Sequence, residues 1–360
     1  VINDLIPRCM FGSESISHYI CILLKHFNTN MRIIIYDIIT KKVFRENQQL
    51  KVMNTIQQKQ IRRFLKIVNV DNLSDQLDQL ARLVDVNPFT TLESCLNLAE
   101  SYDMISTLLI KSMKLFSEFS MDVLQYVILK RLKMDRPFFS EEDGLAMPWL
   151  SKLCLLITNA FNAHHKFTIY GIFDFCVEKI LAHDYTGVYI LDSLMNGSTE
   201  CLYLTDVQDE LAIMYAGNEK TKKLALEKVD GSQKYKTYKL AKLLIQQRNK
   251  KSTALSILES LNAITFEVFY DTFQSVNKIN NQYDTLIRLQ KLIIDACIFY
   301  NNQDTFADTF EVTNIVTNPS LQFLSDAWKA LLIRNTSRNI QKNILPVLSE
   351  NKSLVEFFWY

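Results

Sequence analysis

Apolar residues recur along the chain at the spacing of α-helices. In one stripe they stand at offsets 0, 3, 4 and 7 from Ile61, and in the next at offsets 0, 4, 7 and 11 from Leu73. Each spacing places its apolar residues on one face of a helix. The turn-forming run Asn69–Asn72 separates the two stripes. The pattern therefore predicts an α-hairpin over residues 61–84.

The same rhythm continues along the rest of the chain. Asn87-Pro88 interrupts it, and Thr90 and Glu93 then have the spacing of a helix capping box. The clearest stripe begins at Leu286, with apolar residues at offsets 0, 3, 7, 10 and 11. Residues 1–50 are less regular and are also predicted to be helical. Further helices are predicted over 103–117, 121–133, 148–163, 168–182, 185–195, 205–216, 236–248, 253–262, 265–279, 283–300 and 320–334.

This succession of helices with short joints predicts an all-α fold built as a HEAT-like stack of α-hairpins, an α-solenoid. Composition supports the prediction, because the 360 residues include only 7 Gly and 6 Pro. Phosphate-binding loops and strained strand-to-helix turns need glycine. The shortage of glycine therefore disfavours most enzyme classes and favours a surface for partners, with no cofactor and no small-molecule substrate.

The cysteines and the chain ends indicate the setting of the protein. Seven cysteines are scattered without any C-x-x-C pair, which predicts unpaired thiols in a reducing compartment. No apolar run approaches the roughly 18 residues of a membrane span, so no membrane association is expected. The chain starts at Val1 and stops in the apolar run Phe357–Tyr360, which indicates a piece of a longer protein.

Charge is distributed unevenly although the net charge is only +1. Residues 218–251 hold 11 Lys/Arg and 3 Asp/Glu, a local net charge of 11 − 3 = +8. The polar middle of this segment, 228–236, is predicted to be an exposed loop. Lysines could pair with RNA phosphates while Tyr235 and Tyr238 stack on bases. The alternative is an ordinary solvated surface. The candidate RNA-binding residues are Lys220, Lys222, Lys223, Lys234, Lys236 and Lys239.

His183-Asp184 is the one enzymatic candidate. All-helical phosphohydrolases bind a divalent metal through a His-Asp pair and further His and Asp ligands. His164 and His165 could supply another ligand, but no complete ligand set can be identified. Asp184 also stands where a helix starts, a position at which Asp commonly caps the helix. The structural interpretation is therefore favoured, and no metal site and no catalytic residue are predicted.

Two family resemblances extend these predictions. Residues 61–84 resemble the opening hairpin of the middle domain of eukaryotic initiation factor four-G, through the residues Arg62, Leu65, Val68, Asn72 and Leu73. Over residues 50–360 the chain is more similar to the largest-subunit family of the THO complex. The matching motifs are Asn87-Pro88, Tyr102–Ile105, Asp122–Leu124 with Tyr126, Trp149-Leu150, Gln246–Asn249, Trp328 and Phe358-Trp359.

These resemblances imply a function in the nucleus, and the departures from the metazoan form imply a fungal member of the family. The chain would be a non-catalytic scaffold in transcription-coupled mRNA processing and export. It would hold other THO subunits and dock a DEAD-box RNA-dependent ATPase, with mRNA as a further expected partner. The implied organisation is a helical lead-in over 1–50, a HEAT-like middle domain over 51–335 with a basic loop near 218–238, and a following helical region from 336–360. The residues expected to bind partners are Arg62, Arg63, Gln246, Gln247, Arg248 and Asn249.

Overall fold

A computed structural model of the chain divides it into two compact units, Val1–Phe175 and Cys176–Tyr360. Each unit is considered by itself. The residues that the structure describes are 19, 22–24, 26–69, 71–140, 145–165, 167–199, 231–248, 251–270, 285–286, 288–290, 292–293 and 296–297.

Helices account for nearly all of the regular structure described in the first unit. A π-helical turn, Ile39–Val43, follows the first helix, and a 3₁₀ turn, Met113–Leu115, follows the sixth. The helices are α1 (Thr29–Ile38), α2 (Phe44–Glu46), α3 (Gln48–Ile67), α4 (Leu77–Val86), α5 (Pro88–Ala99), α6 (Asp103–Ser112), α7 (Glu118–Leu132) and α8 (Pro148–Ala163).

Helix α5 lies at the centre of the first unit. It packs against α3, α4, α6 and α7. Asn87 caps its first turn by accepting a hydrogen bond from the Thr90 amide, and Pro88 occupies the first helical position, which suits its fixed backbone. Phe89 then packs edge-to-face against Tyr36 and Tyr126, with ring centroids 5.4 Å apart for the first pair and 6.0 Å for the second. The core of this unit is thus aromatic as well as aliphatic.

The predicted α-hairpin is confirmed, with a longer first helix than the stripe indicated. The helix begins at Gln48 because the Asn47 side chain caps it, accepting from the amides of Gln49 and Leu50. Polar residues dominate 48–60, so the apolar pattern became visible only at Ile61. In the turn, the amides of Asn69 and Asn72 each donate to the other residue's side chain, at 2.9 and 2.8 Å.

Helices also dominate the described part of the second unit. Helix α9 (Tyr170–Leu181) crosses from the first unit into the second and is followed by α10 (Thr186–Ser198). Helix α11 (Gly231–Ile245) packs against α10 and α12 (Thr253–Tyr270). Between α11 and α12, strands β1 (Gln247–Arg248) and β2 (Lys251–Ser252) pair antiparallel.

Three predictions for the second unit were wrong in detail. Residues 231–236 are helical and not loop, because the buried stripe of α11 holds a helix whose polar first turns lack any apolar signal. Gln247 and Arg248 belong to β1 and not to a helix. A break was predicted between the helices over 253–262 and 265–279, but the helix α12 runs through that position without interruption. The stripe that starts at Leu286 is confirmed, since all five of its apolar residues are fully buried.

The all-α fold class is confirmed. Beside β1 and β2, the described residues contain one isolated β-bridge, between Phe139 and Ala146. The predicted helices over 205–216 and 320–334 lie outside the described residues. The assignment to HEAT-like repeats and the domain boundaries at 50 and 335 stay predictions.

Candidate partner-binding surface

Arg62 and Arg63, the first predicted partner-binding pair, both lie exposed on α3. Their neighbours Ile61, Phe64 and Leu65 are buried in the core. The apolar stripe therefore orients the helix and leaves both guanidinium groups in solvent. Within the part of the chain that the structure describes, neither arginine makes an ion pair. An exposed arginine with no intramolecular partner keeps its planar donor fork available for a carboxylate or a phosphate.

Polar side chains on the inner face of α3 fix its position. The buried Gln57 amide donates to the Leu83 carbonyl at the end of α4, at 3.1 Å. One turn earlier, the Asn54 side chain accepts hydrogen bonds from Asn87 and Thr90, the residues that begin α5. These contacts satisfy polar groups at the break between α4 and α5. They also hold α3 in one rotational setting, so the identity of its outward residues is well defined.

The outward side of α3 combines basic and aliphatic groups. The helix contains five Lys/Arg and no Asp/Glu, and all five basic side chains are exposed. Val52, Ile56 and Ile67 are exposed by 54%, 52% and 63%. Val52 and Ile56 are one turn apart, so they form a small contiguous aliphatic patch beside the cations, the kind of surface that can serve as an interaction site. We call this outward side of α3 the basic–aliphatic face; its basic residues are Lys51, Lys59, Arg62, Arg63 and Lys66.

Sequence reasoning overlooked the extent of this face. Residues 51–66 contain five Lys/Arg and no acidic residue, a local net charge of +5. The density of this charge exceeds that of the predicted basic segment 218–251. A count of charge over a window of one helix length would have found this basic surface. The apolar stripe of the hairpin gives no sign of it, because the stripe reports only the buried side of the helix.

The second predicted partner-binding block, Gln246–Asn249, is described only in part. Gln246 follows α11 and is exposed, and its amide donates to the Lys242 carbonyl at 3.2 Å. Gln247 and Arg248 form β1, and Asn249 lies outside the described residues. The block lies in the second unit, whereas Arg62 and Arg63 lie in the first. Its role in binding stays a prediction.

Two of the six predicted RNA-binding lysines, Lys236 and Lys239, have described side chains, and these two are less available than a charge count suggests. Lys220, Lys222 and Lys223 lie outside the described residues. In α11, Lys236 and Lys239 are both half-buried, and burial lowers the pKa of Lys239 to about 8. A lysine with that pKa still carries its charge for most of the time near physiological pH, but its half-buried side chain offers less surface to a phosphate than an exposed lysine does. Tyr235, one of the proposed stacking residues, is 55% exposed.

His183-Asp184 has a structural role between α9 and α10. His183 takes a left-handed backbone conformation (φ 60°) just beyond the end of α9. The Asp184 carboxylate accepts a hydrogen bond from the Thr186 amide at 2.9 Å and from Lys179 Nζ at 2.8 Å. Burial by itself raises the pKa of Asp184, but these hydrogen bonds outweigh it and hold the pKa below its usual value.

The other described residues that could in principle bind a metal ion lie apart from His183 and Asp184 and from one another. His164 is buried, and its Nε2 lies 2.7 Å from the Ile110 carbonyl oxygen. Among the described residues, no group of three or more His, Cys, Asp or Glu side chains is placed to hold a metal ion. Four cysteines of the described residues are buried: Cys95, Cys154, Cys176 and Cys297. Cys9, Cys21 and Cys201 lie outside the described residues.

Glu100, the C-cap residue of α5, is a buried carboxylate that accepts hydrogen bonds from two arginines. Arg131 and Arg136 both donate two hydrogen bonds to it, among them Arg131 Nε at 2.9 Å and Arg136 Nη1 at 2.8 Å. Arg136 also lies over the ring of Trp149, 3.3 Å from its centroid. Burial by itself raises the pKa of Glu100, but the hydrogen bonds from Arg136 and Arg131 outweigh it and lower the pKa. Trp149 thus has a structural role, because its ring packs against the arginine that binds Glu100.

Asp122 and Tyr126, on α7, play a comparable role towards α1. Asp122 accepts a hydrogen bond from the Tyr36 hydroxyl at 2.6 Å and pairs with Arg32 at 3.2 Å. The Tyr126 hydroxyl donates to Asp37 at 2.8 Å. Burial raises the pKa of Asp122 despite Arg32 and Tyr36. Several residues that carry the family resemblance therefore hold helices together rather than face partners.

Comparison with known proteins agrees with the resemblance. Residues 80–154 match the family model Thoc2, described as a transcription- and export-related complex subunit. The chain is 27% identical to THO complex subunit 2 of Saccharomyces cerevisiae over 173 residues, 48% of this chain and 11% of the yeast protein. It is 23% identical to THO complex subunit 2 of Arabidopsis thaliana over 176 residues, 48% of this chain and 10% of that protein.

The chain thus spans about a tenth of the length of these relatives. The region matched by the family model runs from α4 into α8 and contains the Glu100 cluster, Asp122 and Tyr126. Among the described helices, none is long and apolar enough to cross a membrane. The predicted resemblance to the largest-subunit family of the THO complex is confirmed.

Proposed function

We propose that this chain is a non-catalytic scaffold segment of a THO-type transcription–export assembly in the nucleus. It holds other subunits of the assembly and docks a DEAD-box RNA-dependent ATPase. The observation that carries the proposal is the similarity to THO complex subunit 2 of yeast and Arabidopsis over about half of the chain. The fold supports it, because the described helices present solvent-exposed faces and several of their buried polar groups bond to neighbouring helices.

Arg62 and Arg63 are the proposed docking residues for the ATPase. Both are exposed, lie on a helix fixed by Gln57, and make no ion pair within the described structure. A scaffold of this kind acts by differential binding: it stabilises one relative orientation of the two ATPase lobes over others. The chain then changes the population of active ATPase without contributing a catalytic group.

The docking proposal is tested by titrating the 360-residue chain with the purified DEAD-box ATPase of the same organism. We expect Arg62→Glu with Arg63→Glu to weaken binding by at least tenfold, about 1.4 kcal/mol. The thermal midpoint should stay unchanged because both side chains are exposed. The matched control reverses Lys111, in the last turn of α6, and Lys114, in the 3₁₀ turn that follows it; both are also exposed. Binding within twofold of wild type, or an equal loss in the control, would place the docking site elsewhere.

The non-catalytic part of the proposal has its own test. The purified chain should hydrolyse neither nucleotides nor phosphoesters and should hold no stoichiometric divalent metal. Asp184 already uses its carboxylate to accept hydrogen bonds from the Thr186 amide, at the start of α10, and from Lys179. Tightly held metal that is lost on His183→Ala would contradict a purely structural role for His183-Asp184.

A second candidate function is RNA binding through the basic segment 218–251. The exposed Tyr235, next to the lysines of α11, favours it. Binding of single-stranded RNA measured at two salt concentrations tests this candidate, because phosphate contacts make affinity fall steeply with salt. Salt-sensitive binding that is lost when Lys236 and Lys242 are reversed would support it.

A further inference from the structure

The basic–aliphatic face of α3 contains an ordered row of side chains. Val52, Ile56, Lys59, Arg63 and Ile67 stand at offsets 0, 4, 7, 11 and 15. At 100° per residue these positions lie within about 80° of one another, opposite the buried stripe that includes Leu50, Ile61 and Phe64. The row is about 22 Å long at a rise of 1.5 Å per residue. We call it the α3 row.

The residue types of the α3 row change from one end of the row to the other. Val52 and Ile56 form an aliphatic first half, Lys59 and Arg63 form a basic centre, and Ile67 ends it. Spacings of three and four residues are those by which one helix contacts another lying along it. Lys51, Arg62 and Lys66 flank the row, and no acidic residue occurs between positions 47 and 70. The complement of this surface is a helix with carboxylates at its centre and apolar residues at both ends.

Nucleic acid complements the α3 row less well. Single-stranded RNA is held by phosphate contacts together with base stacking on aromatic rings. The two aromatic residues between positions 41 and 69, Phe44 and Phe64, are both buried. The exposed groups between the cations are instead aliphatic, and such groups gain free energy only by leaving water against other apolar groups.

A membrane surface also fits poorly. An interfacial helix places a continuous apolar face among the acyl chains and keeps its charges at the flanks. Here Lys59 and Arg63 occupy the centre of the exposed row. Binding to a bilayer would drive both charges towards the hydrocarbon. Charge and apolar patterning thus favour a protein partner.

We propose that the α3 row binds an acidic amphipathic helix of a partner protein. Carboxylates of the partner pair with Lys59 and Arg63, while its apolar residues cover Val52, Ile56 and Ile67. This inference rests on the proposed function in taking the ligand to be a protein, and it specifies the chemistry of the contact. The support from Gln57 and Asn54 fixes the row before binding, so little ordering of α3 opposes association.

The experiment measures binding of designed peptides to the full 360-residue chain. The probes are helical peptides of about 20 residues, long enough to cover the row. They carry paired Glu residues at their centre flanked by Leu, in a set that scans the register of the pairs. Three comparison probes accompany them: the same peptides with Lys for Glu, the same peptides with Ser for Leu, and a single-stranded RNA of similar length.

Two double substitutions separate the two kinds of contact. We expect Lys59→Glu with Arg63→Glu, and independently Val52→Ser with Ile56→Ser, to weaken binding of the best acidic peptide at least tenfold. The control Lys111→Glu with Lys114→Glu should change it by less than twofold. The Lys-for-Glu and Ser-for-Leu peptides should bind at least tenfold more weakly than the parent. Circular dichroism of each variant should show unchanged helix content, because all substituted side chains are exposed.

Three results would overturn the inference. In the first, no acidic peptide binds in any register. In the second, RNA binds more tightly than the peptides and only the charge reversal matters, which would make the row a nucleic-acid surface. In the third, the Ser substitutions have no effect. If ATPase binding depends on Arg62 and Arg63 while the peptides fail, the proposed function stands and this inference falls. If the peptides bind and the ATPase does not, this inference stands and the proposed docking of the ATPase falls.

Discussion

Helices α3 and α11 have nearly the same charge but differ in how far their basic side chains are exposed. Helix α3 holds five Lys/Arg and no acid in 20 residues, and α11 holds four Lys and no acid in 15 residues. All five cations of α3 are exposed. In α11, which packs between α10 and α12, Lys236 and Lys239 are half-buried and Lys242 is exposed. The charge count of a helix therefore does not measure the cationic surface that it offers.

The difference arises from how many sides of each helix are covered. The buried residues of α3 form one narrow stripe, so most of its circumference remains in solvent. Helix α11 buries Thr237, Leu240, Ala241 and Leu244 and keeps much of its remaining surface half-covered. A half-buried lysine loses hydration and becomes easier to deprotonate, as the lowered pKa of Lys239 illustrates. This difference is why we propose α3, and not α11, as the partner-binding helix.

The largest expected effect tests the two sides of α3 directly. Ile61 is fully buried and Ile56 is 52% exposed on the same helix. Ile61→Ala should lower the free energy of unfolding by about 3 kcal/mol, because it deletes buried methyl groups and leaves a cavity. Ile56→Ala should change it by less than about 0.5 kcal/mol. Urea unfolding of both variants provides the measurement, and similar losses would show that the outward side of α3 is covered in solution.

An intermediate effect concerns RNA. Reversal of Lys236 and Lys242 in α11 should change the affinity for single-stranded RNA by less than about twofold at physiological salt, since only Lys242 is well exposed. The slope of log affinity against log salt should change by less than about 0.7, the value for one phosphate contact. Fluorescence anisotropy at several salt concentrations measures both. A larger loss of affinity and slope would make α11 the principal cationic surface.

The smallest effect is a pH dependence that comes from Lys239. Burial lowers its pKa from 10.5 to about 8 in the folded chain, so the folded state gives up this proton at a lower pH than the unfolded state. Above about pH 8 the unfolded state binds more protons, and stability contributed by this group rises with pH. Wild type should therefore gain stability relative to Lys239→Met as the pH is raised past 8. Parallel stability curves would show that Lys239 is well solvated.

Periodicity predicted the fold class and most helix positions. The predicted 148–163 coincides with α8, and the stripe from Leu286 is buried as expected. Errors occurred where packing and not composition decides the structure. The polar first turns of α11 and α3 carry no apolar signal, and the Asn47 cap that starts α3 resembles any other asparagine. The short strand β1 of the pair β1–β2 falls within a run that the sequence pattern marks as helical.

The candidate site was predicted in part. The apolar neighbours of Arg62 and Arg63 required at least one of them to be exposed, and both are. The α3 row could not be derived so easily, because it depends on which side of a mainly polar helix faces the core. Gln57 and Asn54 decide that orientation through hydrogen bonds to α4 and α5, and such contacts between distant residues leave no trace in local sequence.

Lysine labelling of the chain with and without the DEAD-box ATPase tests partner binding by α3 most directly. An amine-reactive reagent modifies exposed lysines, and mass spectrometry gives the rate for each site. Lys51, Lys59 and Lys66 lie exposed on α3, while Lys242 lies exposed on α11. We predict that the ATPase slows labelling of Lys59 and Lys66 several-fold and leaves Lys242 unchanged. Protection of Lys242 with full labelling of the α3 lysines would contradict this assignment.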